Sequence, residues 1–120
     1  MLDPPEGNTY EARLLVDEAD RPRSYACFGK TPMTEATFDL YWMVTASAER
    51  GKGLGAKLLE AVETELADRR ASTIRVETSS LEGQGGALRF YERCGYMVAG
   101  TIADFYRPGD DLITLIKRLD

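Results

Sequence analysis

Hydrophobic and polar positions switch to a helical period twice along this chain, and those switches mark out its elements. Tyr10, Ala12, Leu14 and Val16 alternate with polar residues, so Thr9 to Val16 is expected to be a strand with one buried face. Asp17 to Asp20 reads as a turn. Ser24 to Gly29 is a second expected strand, broken by Thr31-Pro32-Met33-Thr34. Ala36 to Thr45 is a third, rich in aromatic and β-branched residues: Phe38, Leu40, Tyr41, Trp42 and Val44. Three strands joined by short polar turns predict an antiparallel meander. The period then becomes helical, with Leu54, Leu58, Leu59, Val62 and Leu66 on one face of a helix that ends near Arg70. Thr73 to Thr78 is the next strand, parallel to the third because a helix joins them. Gln84 to Cys94 is a second helix with Ala87, Phe90, Tyr91 and Cys94 on one face, and Gly95 suits the residue just past its end. Tyr96 to Ile102 is a strand, Tyr106 to Asp110 a turn, and Asp111 to Leu119 a last strand. The expectation is an α+β (mixed α/β) fold in the order β-β-β-α-β-α-β-β, with about six strands in one mixed sheet and two main helices. Residues 1 to 8 are Pro/Gly-rich and polar and read as a flexible lead-in. No repeat, low-complexity segment or linker divides residues 9 to 120, which are expected to form a single domain.

Composition narrows the partners more than the fold. In 120 residues, 43% hydrophobic and 29% charged content is that of an ordinary soluble domain. No apolar run approaches the length of a membrane helix, and Met1 to Glu6 lacks the basic and apolar regions of a signal peptide, so a cytoplasmic protein with no membrane partner is expected. The net charge of −5 argues against nucleic acid as a partner. Cys27 and Cys94 are too few for a disulfide framework and have no metal spacing, which suggests buried thiols. There is no histidine, so the commonest general base and metal ligand is missing, and no metal is expected.

The candidate chemistry centres on Arg50-Gly51-Lys52-Gly53-Leu54-Gly55-Ala56, where a loop turns into the first helix. A helix start offers unpaired N–H groups and a positive dipole end, and glycines let a ligand come close to the backbone. A pyrophosphate cradle follows, with Arg50 and Lys52 adding charge; a Gly-rich turn before a plain surface helix is the alternative. A Walker-type loop is excluded because no Gly-x-x-x-x-Gly-Lys-Ser/Thr is present. Gly51-x-Gly53-x-x-Ala56 fits a dinucleotide fingerprint, with Glu77 about twenty residues on. Against it, Ala46 to Arg50 separate the strand from the first glycine, and the upstream segments read as consecutive strands.

Arg50-x-x-Gly53-x-Gly55 at the head of a helix, after the apolar strand Leu40 to Thr45, resembles the acetyl-CoA loop of the GNAT N-acetyltransferases. Ala87-Leu88-Arg89-Phe90-Tyr91-Glu92-Arg93-Cys94-Gly95-Tyr96 resembles that family's A-x-x-F-Y-x-x-x-G-F/Y helix and strand. The resemblance runs from about Tyr10 to Leu119. The family usually opens with a strand and one or two helices before the meander. Only about eight residues precede the first strand here, so a domain lacking those elements is expected, cut from a longer protein or naturally shortened.

The resemblance implies a GNAT-like fold and transfer of acetyl from acetyl-CoA to a primary amine by direct attack, with no metal. The acceptor is a small-molecule or protein amine. A second copy is a further expected partner, because such folds often dimerise. The cofactor-binding residues implied are the backbone of Met43, Val44 and Thr45 on the third strand; Arg50, Gly51, Lys52, Gly53, Leu54, Gly55 and Ala56 at the cradle; and Gln84. In this family the third and fourth strands splay apart, which frees backbone groups of the earlier strand for the pantetheine arm. Glu77 is the implied base and Tyr91 the implied acid for the departing thiolate. Each has a plainer reading: Glu77 as a surface glutamate, Tyr91 as a core aromatic. Glu35 and Asp39 are weaker alternatives for the base. Tyr41, Asp104, Tyr106 and Asp111 read more readily as strand and turn chemistry than as acceptor contacts. A second functional reading is a degenerate GNAT domain that holds acetyl-CoA as a regulatory module.

Overall fold

The computed structural model describes residues 10–16, 18–19, 21–45, 53–81 and 86–119, with only the backbone of Thr45. Six strands form one sheet: β1 (Glu11–Val16), β2 (Pro22–Lys30), β3 (Thr37–Thr45), β4 (Thr73–Ser79), β5 (Met97–Arg107) and β6 (Asp110–Arg118). Helix α1 (Leu54–Asp68) lies between β3 and β4, and α2 (Gly86–Arg93) between β4 and β5. The strand order is β1-β2-β3-β4-β6-β5. All neighbours are antiparallel except β3 and β4, which the α1 crossover makes parallel. The expected order of elements and the mixed sheet are therefore present.

Among the boundaries that differ from expectation, two have a clear local cause. β2 starts at Pro22, two residues before Ser24; proline fits the first residue of a strand, where its missing N–H leaves no gap in the ladder. β5 runs to Arg107, through residues expected to turn. The turn is only Pro108-Gly109, with Gly109 at φ +82°. The extra length is absorbed by an irregularity between Ile102 and Arg107, where Asp104 adopts φ +56° and its carboxylate accepts the Gly109 N–H at 2.8 Å.

Strand alternation divides the sheet into two faces. On one, α1 buries Leu58, Leu59, Val62 and Leu66 at i, i+1, i+4 and i+8 against Ala26, Phe28, Leu40, Ile74, Val76 and Leu115. Tyr91 of α2 joins this cluster and meets Tyr96 edge-on at 5.5 Å between ring centroids. Gly95, at φ +94°, ends α2: the Tyr96 N–H reaches back to the Tyr91 carbonyl at 2.9 Å, which folds the chain from helix into β5. Ions fasten α1 to the outer strand. Arg13 donates to Glu65 at 2.7 and 2.5 Å, and Arg69 donates to Glu11 at 2.7 Å through each of two nitrogens. The other face carries an exposed apolar row in register across three strands: Leu14, Tyr25 and Val44.

Candidate functional site

The site begins with a break in pairing. β3 and β4 face each other over only four pairs, from Thr37–Thr73 to Leu40–Val76. Beyond Leu40, β3 keeps its ladder to β2 as far as the Ser24–Thr45 pair, while β4 keeps its ladder to β6 as far as Ser79–Leu112. The two strands therefore part like a fork, and the β3 edge from Tyr41 to Thr45 has no partner in β4. The cause is local. Opposite β2, Cys27 pairs with Trp42 but Phe28 pairs with Leu40, so Tyr41 is an extra residue in β3. Such a bulge bends its strand and increases its twist, and here it falls at the first position past the last β3–β4 pair.

Met43 pairs with Ala26, which is in the helix-side core, so Met43 lies on the α1 face and Val44 on the open one. Both are on the free edge, as is the backbone of Thr45. Seven residues in number outside the described set then lead to the start of α1. Gly53 is the helix N-cap at φ +77°, a left-handed conformation that suits glycine, and no side chain among the described residues caps the helix. Its carbonyl accepts the Lys57 N–H at 3.1 Å. Leu54, Gly55 and Ala56 form the first turn, whose N–H groups have no intrahelical acceptor. No acidic residue stands in that turn to occupy them. Arg50, Gly51, Lys52 and Gln84 lie outside the described residues, as does the start expected for the second helix.

A cleft of about 160 Å³ sits at the mouth of the fork, lined by Asp39, Leu40, Tyr41, Arg75 and Glu77. Asp39 faces Arg75 across the parallel ladder, and Glu77 follows Arg75 on the same face of β4. Arg75 grips Asp39 at two points, Nε to Oδ1 at 2.6 Å and Nη2 to Oδ2 at 3.2 Å. That bond holds the guanidinium firmly protonated, against the opposing effect of its partial burial. Burial, reinforced by the Asp39 charge, pushes the Tyr41 hydroxyl up. The Tyr41 ring is set by Tyr10, edge-on at 4.9 Å, and by Trp42 at 6.2 Å. Glu77 is exposed, on the face away from the helices.

Tyr91 lies on the other side of the sheet. It is buried in the helix-side core, edge-on to Phe90 at 5.2 Å and to Tyr96. Tyr91 and Glu77 thus lie on opposite faces of the sheet. Glu35 is exposed in the turn before β3, at the end where β3 and β4 are still paired, and Asp39 is committed to Arg75. Asp104 and Asp111 shape the hairpin: the Asp104 N–H donates to Asp111 Oδ1 at 2.9 Å. Tyr106 lines a second hollow of about 290 Å³ with Ser79, Leu81, Arg107 and Asp110. Cys27 is buried and Cys94 half-buried, both as free thiols whose burial raises their pKa. Two features had no clear signal in the sequence. The Asp39–Arg75 pair depends on a register that only the fold defines. The Tyr41 bulge depends on one extra residue in an otherwise regular aromatic strand.

Comparison with known proteins places this geometry in a family. The profile of the acetyltransferase (GNAT) domain matches residues 9–98. A solved structure from Desulfovibrio desulfuricans, assigned to the GNAT family of acetyltransferases, is 34% identical, with a TM-score of 0.88 over 92% of this chain and 69% of that one. This chain belongs to the GNAT acetyltransferase family, a class of acyltransferase enzymes. An aminoglycoside 6′-N-acetyltransferase solved with coenzyme A shares the fold at 21% identity and a TM-score of 0.77, over 92% of this chain and 73% of that one. The ribosomal-protein-S18-alanine N-acetyltransferase of Escherichia coli does so at 20% identity and a TM-score of 0.77, over 92% and 70%. No curated protein sequence matches the chain. No helix among the described residues is long and apolar enough to cross a membrane.

Proposed function

We propose that this domain, residues 9–120, is a cytoplasmic N-acetyltransferase that moves acetyl from acetyl-CoA to a primary amine by direct attack. The observation that carries the reading is the fork: a β3 edge opened by a bulge, beside a helix start that no described side chain caps. Acetyl-CoA has a pyrophosphate and a pantetheine arm with two amides. The first-turn N–H groups from Leu54 to Ala56, with Arg50, Gly51, Lys52 and Gly53 ahead of them, suit the pyrophosphate. The free backbone of Met43, Val44 and Thr45 suits the arm, which would add to β3 as a short extra strand. An N–H of the same edge would stabilise the oxyanion as the amine attacks the thioester. Gln84 is proposed as a further cofactor contact.

Glu77 and Tyr91 take opposite proton roles. An ammonium has no lone pair, so the amine must first lose a proton, and Glu77 on the open face is the proposed acceptor. The departing CoA thiolate gains a proton from Tyr91 on the helical face. Amine and thiolate therefore use opposite sides of the fork. The acceptor class is a small-molecule or protein amine, the two kinds named for the structural neighbours with aminoglycoside and ribosomal-protein substrates. A second copy of the chain is the other proposed partner. Edge strand β5 would accept it: all eleven of its residues are exposed, and no charged residue occurs from Met97 to Ala103.

The deciding experiment measures free thiol released from acetyl-CoA across a panel of primary amines, beside calorimetric titration of acetyl-CoA alone. Amine-dependent thiol release supports the reading. Binding without release for any amine would favour a module that only holds the cofactor, and absence of binding would defeat both.

A further inference from the structure

The cation lining the fork cleft stands between two carboxylates. Arg75 has Asp39 opposite it in the ladder and Glu77 two residues along its own strand, all on one face. It has turned to Asp39 with a two-point grip of 2.6 and 3.2 Å. Asp39 has a side chain only 13% exposed, so its charge is poorly solvated and strongly favours that partner. Among the described residues, the other groups facing Glu77 cannot replace Arg75 as a counter-ion. From β3 comes Tyr41, whose hydroxyl is held neutral by burial. From β6 the facing residue is Thr114, with Leu112 and Ile116 on either side in register with Ser79 and Arg75. The next charges lie a rung further on, where the Ser79 hydroxyl bonds to Asp110 and Arg107 pairs with Asp110 at 3.7 Å.

A carboxylate paired with a guanidinium holds its charge too well to be a useful base, because taking up a proton would break the pair. We propose that Asp39 is a positioning residue that engages Arg75 and so keeps Glu77 free to take the proton of the incoming amine. The proposal rests on the reading of Glu77 as the base. It assigns Asp39 and Arg75 a role that neither would have as a simple strut between β3 and β4. Loss of a strut would affect stability and shift Glu77 only through the missing charge, with no fall in the kcat/KM plateau.

The test titrates the Glu77 carboxyl by NMR in the wild type and in variants, alongside pH profiles of kcat/KM. Asp39→Asn releases Arg75 to Glu77, so the Glu77 midpoint should fall. The acid limb of the profile should move down by about one pH unit, and the plateau should fall. Arg75→Gln leaves the Asp39 charge unpaired beside Glu77, so midpoint and limb should both rise. The double variant, with neither charge, should return both close to wild type. Arg75→Lys keeps a charge but loses the two-point grip, and should move the midpoint down by a smaller step even if the charge-removing variants melt early. A Glu77 midpoint unmoved in every variant, or moved in the same direction by Asp39→Asn and Arg75→Gln, overturns the positioning role whatever the turnover. Wild-type turnover in Glu77→Gln instead overturns the base assignment, and with it any catalytic use of the pair.

Discussion

Leu40 and Val76 are the last facing pair of the parallel ladder, and the residue after Leu40 is the bulged Tyr41. Below that pair the strands share hydrogen bonds; above it each keeps only its outer neighbour. The proposed reaction takes place in the gap between them, with Glu77 on one face of the sheet and Tyr91 on the other.

At the cradle, Gly55→Asp separates binding from folding. An acidic residue in the first turn of a helix favours the helix dipole, so the melting temperature should hold or rise slightly. The same carboxylate would meet the pyrophosphate at close range, and acetyl-CoA affinity should fall by at least about tenfold. Calorimetry on the folded variant checks this; unchanged affinity would remove the first turn from the cofactor site.

Tyr91→Phe keeps the ring that packs on Phe90 and Tyr96 and deletes only the hydroxyl. A CoA thiolate is a tolerable leaving group, so an acid should help by roughly 10²- to 10⁴-fold at most. Turnover is expected to drop at least about tenfold, with acetyl-CoA affinity near that of wild type. Unchanged turnover would transfer the proton to water or another group, and a large fall in melting temperature would identify the hydroxyl as a structural bond.

Glu77→Gln should lower kcat far more than it weakens cofactor binding. The deficit should narrow as pH rises, because more of the acceptor amine is then already neutral. A rate ratio to wild type that stays constant with pH would contradict a role in deprotonation.

Acid stability should depend on the ions that fasten α1 to β1. The Glu11 carboxyl is held low by its bond to Arg69, and that of Glu65 by its bond to Arg13. A depressed carboxyl contributes stability above its unfolded pKa and loses it as pH falls through the folded one. Arg69→Ala should therefore cost about 1 kcal/mol at neutral pH, since these groups are partly exposed. The difference should be smaller at an acidic pH, where these lowered carboxyls take up protons. Urea melts at both pH values decide it, and a difference of constant size would mean the loss is packing alone.

What could be read from the sequence follows from where the signals are local. The helix of Leu54, Leu58, Leu59, Val62 and Leu66 is a one-dimensional pattern, and so is the Gly95 stop, so both are found where expected. β5 is longer than its sequence suggests because Tyr106-Arg107-Pro108-Gly109 reads as one turn, whereas only its last two residues turn and Asp104 takes up the slack. The splay agrees with the family resemblance, but its cause was hidden. Tyr41 looks like another strand aromatic, and only its pairing with β2 reveals it as the extra residue. Asp39 read alone is a spare carboxylate; the β3–β4 register turns it into the partner of Arg75.

The central claim is that the free β3 edge and the first turn of α1 hold acetyl-CoA, and backbone-amide NMR during a titration with acetyl-CoA tests it most directly. The largest saturable shifts are predicted at Met43, Val44 and Thr45 and at Leu54, Gly55 and Ala56, with little change along edge strand β1. Saturable shifts that leave both groups still, or none at any concentration, would contradict the claim.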